Sequence, residues 1–139
     1  MNKIFVDTSA FAALADSSDD NHTGATEFNR TVKGISLITS NYVLDELYTL
    51  LLINTDYSKT VQFKTQLDFL IAQKLLKIVW ISEELEAQTW QVFEKFNKDK
   101  QWSFTDCSSY VVMKEQGITE VFTFDHHFSQ MGFTRLPVT

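Results

Sequence analysis

The stretch KIFVDTSAF, residues 3–11, places an aspartate between a short apolar run and a second run that favours helix. Lys3–Val6 has the near-continuous apolar character of a parallel strand that is buried on both faces. The Asp, Thr and Ser that follow are typical helix caps, because their side-chain oxygens accept hydrogen bonds from the first free N–H groups of a helix. The stretch therefore predicts a strand, a turn carrying Asp7, and a helix over residues 9–15.

The same alternation of strand and helix continues along the chain. Further strands are predicted at residues 35–38, 77–81, 120–124 and 133–136. Further helices are predicted at residues 22–32 (stopped by Gly34), 41–55 (capped by Ser40 or Asn41), 58–74 (capped by Ser58), 82–97 and 104–116 (ended by Gly117). Strands separated by helices indicate an α/β fold, a three-layer α/β/α sandwich around a mostly parallel sheet. No repeat or linker interrupts the pattern, so we expect a single domain over residues 1–139.

The composition suits a soluble protein of the cytoplasm. Of the 139 residues, 44% are hydrophobic and 14% aromatic, which is ample for a sizeable core. The one cysteine, Cys107, excludes an internal disulfide and is typical of a reducing compartment. The apolar run after Lys3 is too short for a signal peptide. The richest apolar segment, residues 42–53, contains two acids and is too short to span a membrane.

The net charge argues against a protein that coats duplex nucleic acid. The formal charge is −6 and the sequence pI is near 4.9, whereas such proteins bind chiefly by neutralising phosphates. Lys95, Lys98 and Lys100 form a small basic cluster that is more often a solvated helix end. Trp90 and Trp102 could stack on bases, but packing in a core or interface is the commoner role.

Two predicted strands end in aspartate. Asp7 follows the first strand, and Asp125 follows the strand at residues 120–124. In open parallel sheets, ligands bind at the carboxyl ends of the strands, so both carboxylates are expected at one edge. Each could equally serve only as a helix cap. Capping and ligand binding are compatible, because a cap position also aims the carboxylate toward that edge.

A third acid is predicted on the apolar side of a helix. At about 100° per residue, Glu46 falls between Leu50 and Ile53 in the segment NYVLDELYTLLLI, whereas Asp45 points to the opposite side. A buried carboxylate is costly unless it is paired or bound to metal. Its partner is therefore either a cation or a Lys or Arg from a neighbouring helix.

A fourth acid leads the inward stripe of the helix at residues 104–116. Asp106, Ser109, Tyr110 and Met113 follow the i, i+3, i+4, i+7 spacing of one helix face. Ser103 and Asp106 also match the S-x-x-D capping box, which would explain the aspartate without any function. The local sequence leaves both interpretations open.

Four ionised acids do not cluster unaided. At about 5 Å and an effective dielectric of about 20, each like-charged pair repels by roughly 3 kcal/mol. Either the acids are scattered or a divalent cation neutralises them, and all-oxygen ligation favours Mg²⁺ or Mn²⁺ over zinc. A zinc site using Asp125, His126 and another histidine is an alternative. Adjacent helical positions project about 100° apart, which disfavours His126 and His127 serving one ion.

The order of these motifs resembles the PIN domain (PilT N-terminus) family, especially its short VapC-type toxins. The resemblance is carried by VDTSAF, NYVLDEL and SFTDCSSYVVMKEQGITEVFTFDHHF, and it spans residues 5–137. It implies a PIN-like fold and a Mg²⁺- or Mn²⁺-dependent endoribonuclease whose products carry 5′-phosphate and 3′-hydroxyl ends. It places the catalytic and metal-binding acids at Asp7, Glu46, Asp106 and Asp125, with Thr8 or Ser9, and Thr105, as supporting hydroxyls.

The resemblance also implies partners. VapC-type chains act on RNA, form homodimers and are inhibited by a small antitoxin, and the helices at residues 41–55 and 58–74 are candidates for these interfaces. One alternative is a non-catalytic PIN-like module that binds metal. Another is a Mg²⁺-dependent phosphatase or receiver-like domain, although the D-x-D pattern of haloacid dehalogenases is broken because Ser9 follows Asp7.

Overall fold

The computed structural model describes residues 2–138, and a parallel sheet lies at its centre. Within these residues the chain forms five strands: β1 Lys3–Val6, β2 Ser36–Ser40, β3 Leu76–Val79, β4 Glu120–Phe122 and β5 Thr134–Leu136. The strand order is β3-β2-β1-β4-β5, and every neighbouring pair is parallel. The carboxyl ends of the strands therefore meet at one edge of the sheet, as the sequence predicts.

Seven helices within residues 2–138 complete a three-layer α/β/α sandwich. They are α1 Thr8–Ala15, α2 His22–Asn29, α3 Asn41–Asn54, α4 Tyr57–Ala72, α5 Glu83–Phe96, α6 Phe104–Gln116 and α7 His127–Gln130. Helix α1 packs against α2 and α3, α3 packs against α4, and α5 packs along α6. None of the helices in the described part of the chain is long and apolar enough to cross a membrane.

The central strand β1 is buried on both faces, which explains its continuous apolar sequence. Ile4, Phe5 and Val6 are each at most 2% exposed, and the neighbouring strand β4 contributes the equally buried Val121 and Phe122. Burial of one such side chain stabilises the fold by about 1.5–3 kcal/mol. The strands that carry the predicted site are thus deeply buried in the core.

Helix α2 is shorter than predicted. It ends at Asn29 rather than Val32, because the Thr31 hydroxyl donates to the Phe28 carbonyl at 2.7 Å. Such local side-chain bonds give the backbone an alternative to continuing the helix. Gly34 does adopt a left-handed conformation, with φ of 80°, but in the turn before β2 rather than as the helix cap.

The cap of α4 also differs from the prediction. Asp56, not Ser58, is the N-cap, and its carboxylate accepts a hydrogen bond from the Lys59 N–H at 2.8 Å. The two residues are both good caps, so the local sequence alone does not separate them. The predicted pairing of this helix with α3 is confirmed by their contacts.

Strand β4 ends two residues earlier than predicted, and an unpredicted helix follows. It stops at Phe122 rather than Phe124, because the next residue, Thr123, turns its hydroxyl to Asp7 at 2.8 Å. The chain then folds into the four-residue helix α7. This early turn brings the segment after β4 against the end of β1.

Candidate active site

Four carboxylates interact at the carboxyl edge of the sheet. The negative charge of Asp106 raises the pKa of Asp7 and of Glu46, and the charge of Asp125 raises the pKa of Glu46 and of Asp106. The acids predicted from separate parts of the chain therefore lie close enough to influence one another. No lysine or arginine in residues 2–138 forms a salt bridge with any of them.

Asp7 is the most buried of the four. It is 3% exposed and caps α1. Its Oδ2 accepts hydrogen bonds from the Ser9 N–H at 3.3 Å, the Ser9 hydroxyl at 2.9 Å and the Thr123 hydroxyl at 2.8 Å. Oδ1 accepts none from the described residues. Burial raises the pKa of Asp7 from 3.8 to about 6, the Thr123 hydrogen bond opposes this increase, and the charge of Asp106 adds to it.

A hydrogen-bond network ties Asp7 to the chain after β4. The hydroxyls of Ser9 and Thr123 lie 3.1 Å apart. The Phe124 N–H donates to the Ser9 hydroxyl at 2.9 Å, and the Asp125 N–H donates to the Thr123 hydroxyl at 3.0 Å. The network fixes the positions of both strand-terminal aspartates relative to each other, and it shows that Asp7 is both a cap and a member of this cluster.

Glu46 is half-buried on α3 and Asp45 is exposed. The alternative of a Lys or Arg partner for Glu46 is not realised, since no such pair is formed within residues 2–138. Burial raises the pKa of Glu46. The Thr8 hydroxyl opposes this increase, although the two groups are not aligned as a hydrogen bond: Thr8 Oγ1 is buried and has no hydrogen-bond partner among the described residues.

Asp106 is both a capping residue and a member of the acid cluster. It forms the predicted capping box, in which the Ser103 N–H donates to Asp106 Oδ2 at 3.2 Å and the Asp106 N–H donates to the Ser103 hydroxyl at 2.9 Å. The same Oδ2 lies 3.1 Å from His127 Nδ1. Burial and the charge of Asp125 raise the pKa of Asp106, and His127 opposes them.

The two histidines converge on Asp125. Asp125 Oδ1 accepts a hydrogen bond from the His127 N–H at 2.9 Å and lies 3.3 Å from His127 Nδ1 and 3.9 Å from His126 Nδ1. The two imidazole rings are 4.5 Å apart. The expectation that His126 and His127 point too far apart to approach one ion was therefore wrong. Although adjacent helical positions project about 100° apart, the two rings converge at the start of α7. His127 also bridges Asp125 and Asp106.

The donor set fits a hard divalent cation held by few protein ligands. Asp7, Asp106 and Asp125 each keep one oxygen without a hydrogen bond to the described residues, and Thr8 Oγ1 is an orphaned buried acceptor. Direct ligands of one Mg²⁺ ion lie within about 4.2 Å of one another, since each bond is about 2.1 Å. No three of the four acids present oxygens within 4.8 Å of one another. The cage predicted from Asp7, Glu46 and Asp106 is thus not closed, whereas Mg²⁺ commonly uses one or two carboxylates and keeps its waters.

In residues 2–138, one group of three side chains does place potential ligand atoms within 4.8 Å of one another. It consists of Asp125, His126 and His127. Its mixed oxygen and nitrogen donors suit a transition metal better than Mg²⁺. The zinc alternative raised by the sequence therefore has a geometric basis.

The sequence missed two residues that hold the site together. Thr123 directly follows β4, and its signal was its place beside Asp7, since Val6 and Phe122 are paired in register. His127 bridges two of the acids, and its signal was its position two residues after Asp125. The backbone carbonyl of Thr105 accepts hydrogen bonds from the hydroxyls of Ser108 and Ser109; a supporting role for the Thr105 hydroxyl stays a prediction.

Comparison with known proteins identifies relatives over nearly the whole chain. The PIN domain family model matches residues 4–134. The 23S rRNA-specific endonuclease VapC20 of Mycobacterium tuberculosis is 31% identical over 133 residues, which cover 96% of this chain and 97% of that protein.

Solved structures agree with that comparison. A crystal structure of Mycobacterium tuberculosis VapC20, described as a sarcin–ricin loop cleaving toxin, superposes with a TM-score of 0.84 at 31% identity, covering 94% of this chain and 96% of that chain. The VapBC2 complex of Rickettsia felis, bound to a DNA fragment from its promoter, superposes with a TM-score of 0.65 at 15% identity, covering 96% of both chains. The second likeness concerns the fold alone.

Proposed function

This chain belongs to the PIN domain family, and we propose that it is a Mg²⁺- or Mn²⁺-dependent endoribonuclease, the toxin of a type II toxin–antitoxin pair. One observation carries the proposal. The carboxylates of Asp7, Glu46, Asp106 and Asp125 lie at one edge of the sheet, where the charge of Asp106 or Asp125 raises the pKa of Asp7, Glu46 and Asp106, and none has a lysine or arginine partner in residues 2–138. Such a cluster is stable in its ionised form only with a cation.

The residues have distinct roles in the proposed reaction. A bound divalent ion would lower the pKa of an attacking water and offset the charge that develops on the phosphodiester. Asp7 offers its free Oδ1, held in place through Oδ2 by Ser9 and Thr123. Asp106 and Asp125 each offer one free oxygen, and His127 fixes their orientation. Glu46 adds negative charge from α3.

The proposed substrate class follows from the relative. VapC20 is named for the 23S rRNA and for cleavage of the sarcin–ricin loop, so we take a stem–loop of ribosomal RNA as the first substrate to test. Cleavage at this site would leave 5′-phosphate and 3′-hydroxyl ends, as the family resemblance implies.

The proposed assembly is a homodimer inhibited by a small antitoxin. The α3–α4 hairpin exposes several large apolar side chains, and the most exposed, at 54–74%, are Leu52, Ile53, Tyr57 and Phe69. Large exposed apolar side chains on one helical hairpin are typical of interaction surfaces. We further propose that the chain acts as a single domain in the cytoplasm, where its buried free Cys107 would stay reduced.

The test is an RNA cleavage assay with purified protein. We expect Mg²⁺ or Mn²⁺ to support cleavage of a sarcin–ricin stem–loop, a chelator to stop it, and Asp106→Asn to be inactive under every condition. Equal cleavage by the wild type and Asp106→Asn would point to a contaminating nuclease and remove the proposal. Binding of Mn²⁺ without any cleavage would instead favour a non-catalytic metal-binding module.

A second candidate is a transition-metal hydrolase built on Asp125, His126 and His127. The observation in its favour is that, among the described residues, only these three side chains place potential ligand atoms within 4.8 Å of one another. Zinc sites commonly use three such protein ligands and one open position. If zinc supports cleavage better than Mg²⁺ and His126→Ala abolishes it, this candidate replaces the first.

A further inference from the structure

A pocket lined only by polar side chains lies beside the acid cluster. It has a volume of about 510 Å³ and is formed by residues 97–101, after α5, together with residues of the α7 segment. Its cationic or potentially cationic side chains are Lys98, Lys100, His126 and His127. We call it the lysine pocket. The sequence alone suggested only a solvated helix end here.

The loop that carries the two lysines is held firmly against α7. Trp102 is 3% exposed, and its indole N–H donates to Gln130 Oε1 at 2.8 Å. The Asn97 side chain pairs with both the N–H and the carbonyl of Trp102, each at 2.8 Å. These bonds fix the loop between Asn97 and Trp102 at both ends. The lysine pocket is therefore a built feature of the fold rather than a loose helix end.

The lysine pocket is continuous with the acid cluster. His127 lines the pocket, and its Nδ1 lies 3.1 Å from Asp106 and 3.3 Å from Asp125. Only the His127 side chain would therefore separate a ligand in the pocket from the Asp106 and Asp125 carboxylates. A polyanion bound there would have one of its phosphates next to the proposed metal-binding acids.

The charges in the lysine pocket are free to bind an anion. Lys98 forms no salt bridge within residues 2–138. The Lys100 side chain is 29% exposed, and its ammonium group lies 3.4 Å from Asp99, whose side chain is 79% exposed. A pair with so exposed a partner contributes little. The chain as a whole carries a net charge of −6. An RNA strand repelled by most of the surface would therefore meet two available ammonium groups at this position.

We propose that the lysine pocket binds the phosphodiester backbone of the RNA substrate on one side of the cleaved bond, through Lys98 and Lys100. The inference rests on the proposed ribonuclease function. RNA is the favoured occupant because the pocket is polar throughout, is continuous with the site of phosphodiester cleavage, and offers point charges suited to phosphate. Binding by these two lysines would explain how a protein of net negative charge positions an RNA substrate.

The experiment compares the Lys98→Ala/Lys100→Ala double variant with Lys95→Ala as a matched control. Lys95 lies in the same basic cluster of the sequence, but its ammonium group sits over the Phe96 ring at 5.2 Å and lines a different pocket with Tyr110 and Lys114. The probe is a fluorescent stem–loop RNA carrying the sarcin–ricin sequence. Cleavage kinetics and binding by fluorescence anisotropy in a chelator are both measured over a series of salt concentrations.

We expect KM and Kd of the double variant to rise about tenfold, with a smaller change in kcat. The slope of log Kd against log salt should fall by about 2, one for each lost phosphate contact. Lys95→Ala should change either constant less than about twofold. Asp99→Asn, which removes the acid beside Lys100, should lower Kd.

Equal KM, Kd and salt slope for the double variant and Lys95→Ala would overturn the proposal. It would also be overturned if poly-glutamate displaced the RNA from the wild type while the double variant bound RNA normally, since the pocket would then serve an acidic protein segment. If the wild type cleaves no RNA, the ribonuclease proposal fails separately. The anisotropy series still decides whether the lysine pocket binds the strand.

Discussion

The two halves of the acid cluster are built differently. Asp7 is almost completely buried, and three donors hold one of its oxygens: the N–H and hydroxyl of Ser9 in α1, and the hydroxyl of Thr123 just after β4. Asp125 is only partly buried, and two imidazoles lie beside it: the exposed His126, which is the N-cap of α7, and His127, the first residue of that four-residue helix. The first half is rigid and desolvated, and the second is open and adjustable.

This difference suggests that the two halves have different functions. A buried carboxylate with a fixed orientation favours a bound cation strongly, because little water competes for it and no reorganisation is needed. An open carboxylate beside two histidines that also line the lysine pocket is better placed to accommodate a large substrate. We therefore expect changes at Asp7 to alter metal binding and stability, and changes around Asp125 to alter rate and substrate contacts.

The largest effect is expected from Asp7→Asn. The amide keeps the size of the side chain but removes the charge, so transition-state stabilisation of several kcal/mol should be lost with the metal. We expect RNA cleavage to fall about 10³-fold or more in single-turnover kinetics. A loss of less than about tenfold would mean that the buried half is not essential to catalysis.

The next effect concerns the pH dependence of stability without metal. The pKa of Asp7 is about 6 in the folded protein and 3.8 ordinarily, so between these values the folded state binds more protons than the unfolded state. The free energy of unfolding should therefore fall by up to about 3 kcal/mol as pH rises through this window. Urea unfolding in a chelator at pH 4 to 7 measures it.

The matched control for that measurement is again Asp7→Asn. The variant cannot ionise at this position, so it should lack this part of the pH dependence and be more stable than the wild type at pH 7. Its hydrogen bonds to Ser9 and Thr123 can persist through the amide oxygen. If wild type and variant give parallel curves, burial does not impose the expected cost on the Asp7 carboxylate.

An intermediate effect is expected at α3, where two neighbouring acids differ in burial. Glu46→Gln should lower cleavage about 30-fold, since it removes a negative charge from the cluster. Asp45→Asn, on the exposed side of the same helix, should leave the rate within about twofold. Comparable losses in both variants would indicate a general charge effect rather than a site at Glu46.

The smallest effect is expected from the histidines. His127→Ala should reduce cleavage about tenfold, as is common when a group that orients metal ligands is removed. His126→Ala should change the rate less, because the His126 ring is farther from Asp125. The opposite order, together with a preference for zinc, would favour the transition-metal site.

The sequence predicted the parts of this site that depend on periodicity and on strand ends. Asp7 and Asp125 were placed at one edge because both follow apolar runs, and Asp106 was correctly given a capping box. Glu46 was placed on the inner side, although the two residues used as its apolar neighbours, Leu50 and Ile53, are 36% and 71% exposed. The orientation was right, but the neighbours that define its surroundings come from other elements.

The sequence could not predict the parts that depend on where strands stop. Strand β4 is predicted to reach Phe124, which makes Thr123 an ordinary strand residue. In the structure the Thr123 hydroxyl instead links Asp7 to Asp125. The turn at Thr123 is set by a partner more than a hundred positions away, so no local pattern marks it. The convergence of His126 and His127 depends in turn on the short helix that this turn starts.

Direct binding of Mn²⁺ is the decisive measurement, since we propose that a divalent ion held among these carboxylates stabilises the acid cluster. Electron paramagnetic resonance of purified protein titrated with Mn²⁺ would count the bound ions and give their affinity in wild type, Asp7→Asn and Asp45→Asn. We expect saturable binding in wild type and Asp45→Asn and loss of the tightest site in Asp7→Asn. Equal binding by all three proteins, or no binding by the wild type, would contradict a metal centre at this edge of the sheet.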